Sequence, residues 1–140
     1  RLIALAELEL DAIDVALASP GGLDFRAYVR HNPAYHALLS RLAGSPVIER
    51  DVERATRLQL ASPSALLQGQ DVIPPFRHSL TRAQHQHREI FSAIRNREGS
   101  RAEALAREHA RLARENLEYV MRSDPSLVDM VPGLALVSPI

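Results

Sequence analysis

Residues 101–122 read RAEALAREHARLARENLEYVMR. The stretch contains no glycine or proline, and alanine, leucine, arginine and glutamate dominate it, which are among the strongest helix formers. Ala102, Leu105, His109, Leu112, Asn116 and Val120 recur every three or four positions, so a helix stacks them on one face. That face is otherwise apolar, yet His109 and Asn116 occupy two of its places. The stretch therefore predicts a long amphipathic helix with a histidine turned towards the core.

The same pattern extends through most of the chain. A first helix is expected from Leu2 to Ala18, stopped by Ser19-Pro20-Gly21-Gly22. Asp24 can cap a second, from Phe25 to Ala43, and Gly44 can end it. Ser45 caps a third with Pro46 in its first turn, carrying Val47 to about Leu60. Residues 61–77 include Pro63, Gly69, Pro74 and Pro75 and read as a loop or short irregular helix. A fourth helix opens at Ser79 or Thr81 and reaches Arg97. Gly99-Ser100 separates it from the last, Arg101 to Arg122, which Ser123-Asp124-Pro125 ends. The apolar tail from Ser126 to Ile140, with its Pro132-Gly133 turn, reads as extended or in short turns. The expected fold class is all-α: an antiparallel bundle of about five helices.

Three of the six histidines stand where a core residue belongs. On the second helix the stripe is Phe25, Tyr28/Val29, Asn32, Tyr35/His36, Leu39 and Leu42, which puts Asn32 and His36 four apart on one side. On the fourth it is Leu80, Ala83, His87, Ile90/Phe91 and Ile94. His109 is the third. His31, His78 and His85 fall on exposed or loop positions. A neutral imidazole buried without a partner is costly, and a divalent metal satisfies several at once. Alternatively, each is a core histidine bonded to a carbonyl or side chain. Asn32 followed by Pro33 also fits an N-cap at a helix break.

Composition narrows the classes. With no cysteine, disulfides, cysteine zinc sites and thiol nucleophiles are excluded. Seventeen basic and seventeen acidic residues give a formal net charge of zero, unlike a self-sufficient nucleic-acid binder. No apolar run of about 18 residues is present to span a membrane, and no secretory signal opens the chain, so a cytoplasmic location is expected.

The segment Asn32-Pro-Ala-Tyr-His36, followed by Leu-Leu-Ser-Arg-Leu-Ala-Gly-Ser-Pro, resembles the signature "(Asp/Asn)-x-x-(Phe/Tyr)-His … Ala-x-(Gly)-(Asn/Ser)-Pro" of the FCD domain. That is the C-terminal effector domain of FadR-type regulators in the GntR family. Gln86-His87-Arg-Glu-Ile-Phe-Ser-Ala-Ile94 is similar to its "(Glu)-His-x-x-Ile-x-x-Ala-Ile". Ala102-Glu-Ala-Leu-Ala-Arg-Glu-His109 is similar to its "Ala-x-x-x-x-x-x-His". The resemblance implies an FCD-type helical bundle over residues 1–140, lacking its first helix and the N-terminal winged helix-turn-helix. It implies a divalent metal, zinc or nickel, on Asn32, His36, His87 and His109, beneath a pocket for a small carboxylate effector. It also implies a homodimer that meets operator DNA only through the missing N-terminal domain. Two positions depart from the usual pattern: Asn32 stands where Asp is common, and Gln86 where Glu is common.

Asn116, two turns beyond His109, is a candidate effector-binding residue, or a core hydrogen-bonding one. No catalytic residue is expected. A metal-dependent hydrolase is the rival class, with Asp51 or Glu89 as its general base. A structural dimerisation module with coincidental core histidines is another.

Overall fold

The computed structural model describes residues 1–20, 22–57 and 74–123. They form five helices: α1 (Leu2–Leu17), α2 (Phe25–Arg41), α3 (Pro46–Thr56), α4 (Pro74–Arg95) and α5 (Gly99–Ser123). No strand occurs among the described residues. The chain is all-α, as its patterning predicts. It divides into two compact units, the first carrying α1 to α3 and the second α4 and α5.

In the first unit, α1 packs along α2, and α3 packs on α2. Ala6, Leu10, Ile13 and Ala16 form the buried stripe of α1, and α2 contributes buried Tyr28, Tyr35 and Leu38. Burial pushes the Tyr28 phenol above its ordinary range, so it stays protonated. The side chain of Asp24 accepts from the Ala27 N–H at 3.0 Å, which satisfies one unpaired donor of the first turn of α2. Ser45 plays the same part for α3, accepting from Ile48, with Pro46 in the first turn. Gly44 adopts φ +64°, a left-handed conformation that suits glycine. His31 departs from the sequence expectation of an exposed position. Its Nδ1 lies 2.7 Å from Glu9 Oε2 across α1 and α2, and Arg30 reaches its Nε2 at 2.9 Å.

In the second unit, α4 and α5 make an antiparallel hairpin. Its register is fixed by Arg82–Glu115 and Ser79–Asn116 near one end and His87–His109 nearer the turn. Leu80, Ile90, Phe91, Ala93 and Leu112 are buried apolar residues of this hairpin.

Several boundaries differ from expectation. α4 begins at Pro74, not at Ser79 or Thr81, because the first turn of a helix does not need the N–H that proline lacks. α3 closes at Thr56, with Arg57 as its C-cap, and Leu60 lies outside the described residues, as do residues 61–73 and the tail from 126 to 140. The break between α4 and α5 falls on Asn96 to Glu98, not on Gly99-Ser100. Arg97 takes φ +59°, its N–H bonds Ile94 O, and the Glu98 N–H bonds Ala93 O. This is a Schellman turn with a non-glycine residue at its left-handed position, and it frees Gly99 to start α5.

Candidate metal centre

Helix α2 runs through Pro33 without a break, so Asn32 is not the N-cap that the Asn-Pro pair also allowed. It is a mid-helix residue, 3% exposed, and its Oδ1 is fully buried. His36 follows one turn later and is half-buried, its ring edge-on to Tyr35 with centroids 5.5 Å apart. His36 also lines a cleft of about 610 Å³ between α2 and α3. Pro33, Ala37, Leu39, Ile48 and Val52 give that cleft an apolar wall, and Arg41, Glu49 and Glu53 contribute charge. Arg41 and Glu49 pair at 3.6 Å.

The second unit brings His87 and His109 together. Helical periodicity puts His87 on the buried stripe of α4 and His109 on that of α5, and the antiparallel register sets them opposite. Their Nε2 atoms lie 3.0 Å apart, with ring centroids separated by 4.4 Å. His87 is 1% exposed. Burial lowers the pKa of His109 from 6.5 to about 4, which keeps this ring neutral at pH 7 with a nitrogen lone pair available.

The remaining ring nitrogens face amides. Gln84 Oε1 stands 3.2 Å from His87 Nδ1, and Gln86 Oε1 stands 3.1 Å from His109 Nδ1. The histidine stripe alone did not single out either glutamine. The signal was available for Gln84, which extends the series Leu80, Gln84, His87, Phe91 at core spacing and is 3% exposed.

This geometry fits a metal. Two nitrogen ligands at about 2.0–2.1 Å from a tetrahedral ion stand roughly 3.3 Å apart, close to the spacing of these two Nε2 atoms. Metal-bound histidines also commonly direct their other ring nitrogen at an oxygen acceptor. His36, His87 and His109 are three described residues whose donor chemistry could hold an ion. Asn116 donates through Nδ2 to Ser79 Oγ at 2.9 Å, the core hydrogen bond that sequence reasoning weighed against an effector contact. Asp51 and Glu89, the two carboxylates considered as general bases, are both exposed.

Residues 2–112 match the family model of the FCD domain. The chain belongs to that family, whose members are the effector-sensing domains of GntR-family regulators and are regulatory, not catalytic. The comparison with curated proteins gave no match. No helix among the described residues is long and apolar enough to cross a membrane.

Proposed function

We propose that this chain senses a small carboxylate through a divalent metal, zinc or nickel, held by Asn32, His36, His87 and His109, and relays occupancy to a winged helix-turn-helix domain on operator DNA. The observation that carries the reading is the His87–His109 pair, with Nε2 atoms 3.0 Å apart and an amide oxygen against each Nδ1. Family membership supplies the sensing role. When bound, a divalent metal supplies positive charge that none of these four neutral ligands offsets. A buried charge of that kind favours an anion beside it.

The protein's own residues divide the remaining work. His87 and His109 offer ring nitrogens from the hairpin, and His36 offers one at the wall of the α2–α3 cleft. That cleft falls in the size range of small-molecule pockets, and its apolar wall suits the carbon body of an organic acid. Asn116 lies seven residues along α5 from His109, about 10 Å, and is the candidate effector contact on that helix, its Nδ2 donating to Ser79 Oγ. The regulator acts in the cytoplasm as a homodimer. α1 leaves Leu5, Leu8 and Val15 exposed, apolar surface that a second copy can cover.

The test is a metal analysis of untagged protein, with titration of a panel of mono- and dicarboxylates. His109→Ala is expected to lower metal content and carboxylate affinity together. Carboxylate binding that persists unchanged in a metal-free His109→Ala protein contradicts the proposal.

A further inference from the structure

Gln84 and Gln86 sit two positions apart on α4, so their side chains leave the helix in different directions. Each serves a different ring. Gln84 reaches His87 within the same helix, whereas Gln86 reaches across the hairpin to His109. An amide oxygen only accepts, so a ring whose Nδ1 donates to one leaves its Nε2 as a lone-pair donor towards a metal. The two Nε2 atoms are 3.0 Å apart. When both rings carry their hydrogen on Nδ1, two lone pairs at that distance repel each other, and a shared cation turns the repulsion into binding.

We propose that Gln84 and Gln86 are positioning residues that hold both imidazoles as Nδ1–H tautomers and so present two Nε2 lone pairs to one divalent cation. The inference rests on the metal-binding reading above and adds the residues that set the ligands. It also explains why amides suit these places. Without a cation, one ring must carry its hydrogen on Nε2 and donate to the other. The Nδ1 of that ring then becomes an acceptor. A glutamine can turn its amide over and donate to it, whereas a carboxylate cannot. Glutamine therefore keeps the hydrogen bonds of the pair satisfied with and without metal, and the site can load and unload reversibly.

Gln86 is half-buried and is the position to vary. The probe is Zn²⁺ alone, its affinity for the 140-residue chain read by competition with a chromophoric chelator. Gln86→Leu is expected to weaken Zn²⁺ binding about 10- to 100-fold, the usual effect of losing an outer partner of a metal-bound histidine. Gln86→Glu, which still accepts from Nδ1–H, is expected to bind Zn²⁺ at least as tightly as the wild type. Nitrogen NMR of the metal-free proteins gives a second readout: His109 held as Nδ1–H in Gln86→Glu, and shifted towards Nε2–H in Gln86→Leu. Wild-type affinity in Gln86→Leu, or an equal loss in both variants, overturns the proposal. If the wild-type chain binds no Zn²⁺, the metal reading fails by itself. The tautomers still decide the positioning role, and the same His109 tautomer in both variants refutes it.

Discussion

Acidification of the metal-free protein tests the burial of His109 directly. Its pKa is lowered from 6.5 to about 4 by burial in the folded state, while the unfolded chain keeps an ordinary imidazole. Between these values the unfolded state binds a proton that the folded state refuses. Stability therefore falls as the pH drops below about 6.5 and levels off below about 4. Each tenfold difference in proton affinity between the two states is worth about 1.4 kcal/mol, so the loss between pH 7 and pH 4 is about 3 kcal/mol, allowing for half-protonation at the lower end. The measurement is a difference against a variant that lacks the imidazole. Urea unfolding of chelator-treated wild type and His109→Gln is followed at pH 7, 6, 5 and 4. The wild type is expected to lose about 3 kcal/mol more than the variant. A stability gap that stays constant to within about 0.5 kcal/mol across that range would refute the reasoning.

Three further outcomes follow from the fold. Arg97→Gly is expected to raise stability by roughly 1 kcal/mol, because the left-handed conformation costs an ordinary residue about 1–2 kcal/mol and glycine returns part of that as chain entropy; thermal unfolding measures it. Asp24→Ala removes the acceptor for the Ala27 N–H and is expected to cost about 1 kcal/mol in urea unfolding. Leu10→Ala empties a fully buried place in α1 and is expected to cost about 2–5 kcal/mol by the same assay.

The long elements were legible in the sequence because burial writes a period of three to four residues into them. The α5 stripe is seen in the structure, where Ala102, Leu105, His109, Leu112 and Asn116 turn inward relative to their exposed neighbours. The inward places of His87 and His109 followed from the same arithmetic. Local rules with two outcomes were less readable. Asn32-Pro33 scores as a helix start, but α2 continues through it, since packing of the face that carries Tyr28, Asn32 and Tyr35 outweighs one missing N–H. Pro74-Pro75 scores as a loop, yet α4 starts there. Gly99 was the obvious breaker, but the Schellman bonds put Arg97 in the left-handed place. Gln84 stands at core spacing with Leu80, His87 and Phe91 and is buried, but the neighbouring Ala83 supplies an apolar residue for the same place in the stripe, and so the glutamine was passed over.

The hairpin has a kinetic consequence. His87 and His109 are 22 positions apart, and the helices that carry them are joined by three residues, Asn96 to Glu98. Zipping two helices across so short a turn closes little chain and is among the faster events in folding. The two nitrogens therefore meet early, through contacts that are local in sequence. The donors proposed from α2 are separated from them by a far longer stretch of chain. On the proposed ligand set the centre matures in two stages, with a weak two-histidine clasp first and the complete site later. A metal ion present during synthesis would meet that clasp before the rest of its coordination shell existed.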